Sequence, residues 1–75
     1  MNLSDKTFLR ELGYRLREPR HARGWTQADL AGKCRLHRTF IGSVERGERN
    51  VSILNLRLIA KVLRISLADV LAGFG

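Results

Sequence analysis

The sequence has few cysteines, few prolines and no long apolar run. One cysteine, Cys34, excludes a disulfide framework within the chain and a four-ligand zinc site supplied by one subunit. No apolar run approaches the roughly 18 residues of a membrane span, and residues 1–6 are polar, unlike a signal peptide. We therefore expect a cytoplasmic protein in a reducing setting, with no membrane among its partners.

Acidic residues are also few, and the charge balance is strongly basic. The chain carries 7 Asp and Glu against 14 Lys and Arg, a net charge of +7, and 11 of the basic residues are arginines. The planar guanidinium group suits phosphate and guanine, whereas lysine serves solubility equally well. The balance favours nucleic acid as a partner, although a basic protein that is merely soluble shares it.

The length bounds the architecture. Seventy-five residues, 44% of them apolar, allow one folded domain over residues 1–75. A core of this size is marginal by itself, so we expect further burial against a partner.

Apolar residues recur at helical spacing in the first third of the chain, at Phe8, Leu9, Leu12 and Leu16. They predict an amphipathic helix from near Asp5 to about Ala22, followed by Gly24. Pro19 lacks a backbone donor, and its ring clashes with the carbonyl four residues earlier. We therefore expect a kink or an early end of the regular helix at this residue.

Two short helices follow. Thr26 with Asp29 is a weaker form of the capping box, and it predicts the start of a helix that ends near Cys34. The next helix is predicted from His37 or Arg38 to Arg46, with Gly47 ending it. Its apolar side holds Phe40, Ile41 and Val44, and its polar side holds Arg38, Thr39, Gly42, Ser43 and Arg46.

Ser52 and Ser66 predict the starts of a fourth helix and of a fifth helix that ends at Gly73. The fourth helix is apolar over so much of its circumference that we expect burial on more than one side. No segment alternates long enough to be a strand. The predicted fold is all-α with five short helices.

Residues 25–47 predict two short helices joined by about three residues, the second with a polar outer face. Such a helix has the diameter of the major groove of B-DNA. No acid and base stand at a recognisable catalytic spacing, and there is no glycine-rich phosphate loop. We therefore expect a protein that is not an enzyme and needs no metal or other cofactor.

Residues 12–72 resemble the Cro/lambda-repressor type of helix-turn-helix regulators, also called the XRE family, through the strings TQADLA at 26–31 and IGSVERGERN at 41–50. The strings LHRTFI at 36–41 and ERGERNVS at 45–52 are similar to one branch, the controller proteins of restriction-modification systems. The resemblance implies a lambda-repressor-like fold in which helices 2 and 3 form the helix-turn-helix. It also implies a transcriptional regulator that binds double-stranded DNA as a homodimer and reads a pseudo-palindromic operator.

The resemblance assigns roles by position. The residues implied to read bases are Arg38, Thr39 and Ser43. Those implied to meet phosphates are Gln27, Arg35, His37, Arg46, Arg49 and Asn50. His37 has a second interpretation as a helix cap, and Arg35 has a second one as a solvated side chain. Arg20 and Glu45 match a pair that forms a salt bridge between helices 1 and 3. The dimer surface is expected on helices 4 and 5, at Leu56, Leu67, Val70, Leu71 and Phe74.

Three positions depart from the family pattern. Arg35 stands in the turn where glycine is common, and a positive φ there would cost roughly 1 kcal/mol. Pro19 replaces a helix-forming residue, and Cys34 replaces a small core-facing residue and is interpreted as packing. Trp25, beside Gly24, is interpreted as a cover over the core.

Other classes of function stay open. A free-standing phage or chromosomal repressor shares most of these residues. An antitoxin-type regulator would chiefly bind a partner protein, and a basic protein could bind nucleic acid without sequence preference. The sequence does not distinguish activation from repression, and an activator would also contact RNA polymerase.

Overall fold

The computed structural model describes residues 3–74, which form five α-helices and no strand. They are α1 (Leu3–Ala22), α2 (Gln27–Cys34), α3 (Arg38–Glu45), α4 (Ile53–Val62) and α5 (Leu67–Leu71). Helix α3 packs against both α1 and α2, while α5 packs against α1 and α4. The all-helical fold class predicted from the sequence is confirmed, and each helix boundary that the sequence predicts falls within about two residues of its expected place.

Side-chain caps set the starts of three helices. Thr26 accepts a hydrogen bond from the Asp29 amide at 3.0 Å, and the Asp29 carboxylate accepts one from the Thr26 amide at 2.8 Å. The predicted capping box is therefore complete. Ser52 and Ser66 cap α4 and α5 in the same way, each accepting from an amide three residues ahead.

The first four helices end in a Schellman arrangement, in which an amide bonds to the carbonyl five residues earlier. Gly24 and Gly47 take the left-handed position of α1 and α3, with φ of 69° and 73°. At the ends of α2 and α4, Arg35 and Arg64 take the same conformation, with φ of 56° and 58°. The sequence raised a positive φ as a possibility at Arg35 but not at Arg64.

Pro19 does not end α1 early, because the helix continues to Ala22. The Pro19 ring removes one backbone amide donor, but other hydrogen bonds hold the residues that follow Pro19. The Arg23 amide bonds to the Pro19 carbonyl at 3.3 Å, and Arg20 is anchored to α3 through its side chain. The lost hydrogen bond is therefore offset by tertiary contacts.

The core contains residues from all five helices, and its most deeply buried side chains are Leu16, Leu30, Ile41, Ile59, Leu63 and Val70. Leu56 and Val70, which were expected on the dimer surface, are only 4% and 2% exposed. For these two the prediction is wrong, because their side chains fill the protomer core and offer no area to a partner. Cys34 is buried in the same core, as its packing interpretation required.

Helices α1 and α3 approach each other closely at Gly13, in the middle of α1. A Cβ atom at this position would lie 2.4 Å from the Glu45 carbonyl oxygen and 2.6 Å from that of Val44. Both distances are far below van der Waals contact, so only glycine permits this packing. Gly13 therefore sets the position of the end of α3, and nothing in the helical periodicity signals its role.

Arg15 fastens α5 to α1. Its Nη1 donates to the carbonyl oxygens of Val70 and Ala72, and its guanidinium lies 4.2 Å from the centre of the Phe74 ring. The Phe74 ring also lies 4.4 Å from that of Phe8. Phe74, another residue expected on the dimer surface, is thus half-buried by contacts within its own protomer.

Candidate nucleic-acid interface

Helix α3 divides into a buried and an exposed face. Ile41 and Val44 are 1% and 3% exposed, whereas Arg38 and Thr39 at its start are exposed to solvent. Gly42 was expected on the polar face but is buried. A Cβ atom there would lie 3.1 Å from both Gln27 Oε1 and Arg46 Nη1, so these side chains close over the glycine. The surface open to a groove therefore begins at Arg38 and Thr39.

A buried ion pair holds α3 against α1. Arg20 Nε donates to Glu45 Oε2 at 2.7 Å, and Arg20 Nη2 donates to Glu45 Oε1 at 2.9 Å. Arg20 Nη1 also donates to the Trp25 carbonyl at 2.6 Å, so the guanidinium joins α1, α3 and the chain before α2. The salt bridge implied by the family resemblance is present, and it is only 8% and 3% exposed at the two side chains.

Gln27 joins this network from the first residue of α2. Its Nε2 donates to Glu45 Oε1 at 3.1 Å, and its side chain is half-buried. The amide group carries two N–H donors, so one of them is left for another acceptor. The ion pair thus fixes Gln27 at the N-terminus of α2, where a helix end favours an anion. The phosphate contact implied for Gln27 stays a prediction.

Two predicted contacts precede α3. His37 occupies the N-cap position, but its side chain makes no capping hydrogen bond. Its interpretation as a side-chain cap is therefore not supported, and the imidazole is exposed. Arg35 is exposed in its left-handed turn, so both side chains are open to a phosphate.

The loop after α3 lies against the helix. Arg49 Nε is 3.4 Å from Ser43 Oγ, and the Arg49 guanidinium lies 5.1 Å from the centre of the Phe40 ring. Ser43 in turn donates to the Phe40 carbonyl at 2.8 Å, which occupies its only hydroxyl proton. The family resemblance implies a phosphate contact for Arg49. The structure places it beside a predicted base-reading residue.

Arg46 and Asn50 complete the predicted set. Arg46 Nε donates to Glu48 Oε1 at 3.0 Å, and both side chains are more than half exposed. Asn50 is exposed in the loop. No sequence pattern singles out Glu48, since a carboxylate two residues after an arginine is common on protein surfaces. The pair holds Arg46 beside Gln27 without removing its remaining donors.

Residues 3–74 contain no group of three His, Cys, Asp or Glu side chains placed to hold a metal ion. None of the five helices is both long enough and apolar enough to cross a membrane. Trp25 is half-buried against the core, with Lys33 Nζ 4.6 Å from the ring centre, as expected of a cover.

The arrangement is a helix-turn-helix: α2 and α3 are joined by a short turn, and polar side chains mark the start of the outer helix. Residues 14–70 match the helix-turn-helix family HTH_3. The chain therefore belongs to this family. Within it, the chain is close in sequence and in structure to the controller proteins of restriction-modification systems.

Control protein C.BamHI of Bacillus amyloliquefaciens is 48% identical over 46 residues, which is 61% of this chain and 57% of that protein. The crystal structure of the controller C.AhdI from Aeromonas hydrophila superposes with a TM-score of 0.82 and 42% identity, covering 85% of this chain and 97% of that one. The controller C.Esp1396I was solved as a tetramer in complex with its natural 35 base-pair operator. Its structure superposes on this chain with a TM-score of 0.75 and 39% identity, covering 83% of this chain and 82% of that one.

Proposed function

We propose that this chain is a sequence-specific transcriptional regulator that acts as a homodimer and controls a restriction-modification system. It binds a pseudo-palindromic operator, and α3 of each protomer enters the major groove. One observation carries the proposal: the outer face of α3 exposes Arg38 and Thr39 on a helix fixed from behind by a buried ion pair. The structural similarity to a controller solved on its operator supports it.

We propose the following tasks for the residues on this face. Arg38 begins α3, where its guanidinium can pair with guanine O6 and N7, and Thr39 lies next to it. We expect Gln27 and Arg46, which flank the helix, to meet the phosphate backbone. Arg35, His37 and Asn50 supply further polar groups around the same face.

The second protomer is expected to cover an apolar surface at the start of α4. Ile53 and Leu54 are 59% and 65% exposed and adjacent in the chain, so together they form an apolar patch on the surface. A groove of about 190 Å³ beside Ile53 extends to Leu71 on α5. We therefore place the dimer face at Ile53 and Leu54 with the half-buried Leu67 and Leu71, replacing Leu56 and Val70.

Dimerisation links binding to protein level. Two recognition helices about 34 Å apart contact successive major grooves on one side of the duplex. Monomers bind weakly, so operator occupancy rises steeply as dimers form. The regulatory signal in this account is the concentration of the chain itself. A dimer that activates transcription would also contact RNA polymerase.

A gel-shift titration tests the function. The wild-type chain is expected to prefer one DNA sequence over competitor DNA, and its affinity is expected to fall by orders of magnitude between low and moderate salt. Each neutralised phosphate contributes about −0.9 to the slope of log K against log salt concentration. Equal competition by all sequences would indicate a non-specific binder. A flat salt dependence would exclude the phosphate backbone as the main ligand.

Sedimentation equilibrium tests the dimer face. Leu54→Glu is expected to shift the chain towards monomer and to weaken operator binding, because a carboxylate would be buried in the interface. Ala22→Glu, at the exposed end of α1, adds the same charge away from α4 and α5 and is the matched control. A Leu54→Glu variant that dimerises as well as the control would move the interface elsewhere.

A further inference from the structure

Helix α1 carries a row of residues that the proposed interface leaves unused. Arg10, Tyr14 and Arg17 are spaced by four and three residues, so they share one side of the helix. All three are exposed, and the Arg17 guanidinium lies 5.5 Å from the centre of the Tyr14 ring. These three residues are called the α1 basic stripe below.

The stripe lies on the side of α1 that faces α3. Gly13, between Arg10 and Tyr14, meets the carbonyl oxygens at the end of α3. The backbone of Arg10 approaches Gly47 so closely that a Cβ atom on that glycine would lie 2.7 Å away. Arg15 points the other way, towards α5. The stripe therefore borders the helix-turn-helix and not the α5 side of the protomer.

A groove connects the stripe to the proposed DNA surface. It measures about 610 Å³, and its lining includes Arg10, Tyr14 and Arg17 together with Arg46 and the carboxylates Glu11, Glu45 and Glu48. Arg46 lines this groove and also borders the proposed DNA surface, because its Nη1 lies over Gly42 beside Gln27. Gln27 and Arg46 on the DNA side are thus continuous with the arginines on α1.

The charges in this region leave cationic groups unpaired. Glu45 is bound by Arg20, Glu48 by Arg46, and the neighbouring Glu11 by Arg15 at 3.3 Å. Within residues 3–74, no carboxylate lies within 4 Å of the guanidinium nitrogens of Arg10 or Arg17. The Tyr14 hydroxyl donates to Glu18 Oε1 at 3.0 Å, so one carboxylate also borders the stripe. Arg10 and Arg17, which pair with no carboxylate of the described residues, outnumber it and leave a local positive field.

We infer that the α1 basic stripe is a second DNA contact, which binds the phosphate backbone flanking the bases read by α3. The inference rests on the proposed function, because it uses the continuity of the groove with the DNA side. Backbone phosphate is the ligand that this chemistry favours, since guanidinium groups pair with it regardless of sequence. The stripe adds affinity and lengthens the footprint, but it does not read bases.

The test uses the DNA motif that the wild-type chain selects from a random pool. Arg10→Gln/Arg17→Gln is compared with Arg57→Gln/Arg64→Gln, which removes the same charge from exposed positions of α4 and its end. Both variants are checked by thermal melting and sedimentation equilibrium. Binding is measured by fluorescence anisotropy over a range of salt, on a duplex of the motif alone and on one with flanking base pairs.

The stripe variant is expected to select the wild-type motif but to bind it more weakly. Its salt slope should fall by about 3.6 if each of the four arginines in a dimer meets one phosphate. The loss should be greater on the flanked duplex, and the control should keep the wild-type slope.

Equal slopes for the two variants would overturn the inference while leaving the proposed function intact. So would unchanged DNA binding together with a lost complex with RNA polymerase, which would make the stripe a protein contact. A wild-type chain that selects no motif would refute the proposed function, and the inference would fall with it.

Discussion

Removing Arg20 is expected to damage the fold before it affects recognition. The guanidinium makes two hydrogen bonds to Glu45 and one to the Trp25 carbonyl, and the ion pair is almost fully buried. Arg20→Ala leaves a buried carboxylate whose remaining hydrogen-bond donor is Gln27. Breaking such a pair costs about 3–5 kcal/mol. A chain of this length has roughly 4–11 kcal/mol of total stability.

The assay is thermal melting followed by circular dichroism. A domain of this size loses about 4–8 °C of Tm per kcal/mol, so a loss of 3 kcal/mol corresponds to about 12–24 °C. The double variant Arg20→Met/Glu45→Met replaces the pair by apolar side chains of similar length. It is expected to recover most of the lost stability, because no charge is then left buried.

The combination of stability and binding decides the interpretation. The double variant is expected to bind DNA less well than the wild type despite its recovered Tm, because Gln27 has lost the carboxylate that orients it. An Arg20→Ala variant with unchanged Tm and lost DNA binding would refute the structural role and place Arg20 at the interface.

Three further predictions concern packing and titration. Gly13→Ala is expected to destabilise the fold by about 1–3 kcal/mol through overpacking. The control Gly32→Ala, whose new Cβ meets nothing within 4 Å, should stabilise the helix by about 0.5–1 kcal/mol. Equal melting temperatures for the two variants would contradict the close α1–α3 packing. Burial raises the pKa of the Cys34 thiol, so iodoacetamide should label the native chain far more slowly than the unfolded chain, and rapid native labelling would show that Cys34 is accessible. The hydrogen bonds from Thr26, first from its backbone amide and then from its side chain, lower the pKa of Asp29. The Asp29 carboxylate therefore stabilises the fold above its unfolded pKa, and this stabilisation is lost as the pH falls through its folded pKa. Melting temperatures between pH 6 and pH 2 should depend less on acid for Asp29→Asn than for the wild type, and identical profiles would contradict a stabilising capping box.

Local signals in the sequence were sufficient for most of the fold. The caps at Thr26, Ser52 and Ser66 and the terminating Gly24 and Gly47 act through residues a few positions away, so their patterns can be read directly. The Arg20–Glu45 pair spans 25 residues and was available only through the family resemblance. Without that resemblance, neither residue would have been distinguished from the other charged side chains.

The errors arose where packing in three dimensions decides the outcome. Helix α4 is apolar on several sides, so periodicity could not tell the core residue Leu56 from the exposed Leu54. Gly42 was placed on the polar face because of its position in α3, but the side chain of Gln27 covers it from another helix. The phosphate role that the resemblance implies for Arg49 stays a prediction, and its contact with Ser43 depends on how the loop after α3 folds back, which no local pattern shows.

The same loop geometry opens two possible roles for Arg49 in DNA binding. A phosphate contact predicts that Arg49→Ala weakens all sequences about equally and lowers the salt slope by about 1 for each site. Base reading from its position beside Ser43 predicts that one position of each half-site loses its preference. Binding selection with this variant distinguishes the two roles.

The central claim is that α3 reads DNA bases, and the most direct test is selection on randomised DNA with the wild-type chain and with Arg38→Ala. The wild type is expected to select a two-fold symmetric motif. Arg38→Ala should weaken binding to it by about 1–3 kcal/mol and lose the preference for one base pair in each half-site, because a bidentate contact to guanine is removed. A variant that binds more weakly but selects an unchanged motif at every position would contradict base reading by Arg38. Sequence preference would then rest on Thr39, Ser43 or the shape of the DNA.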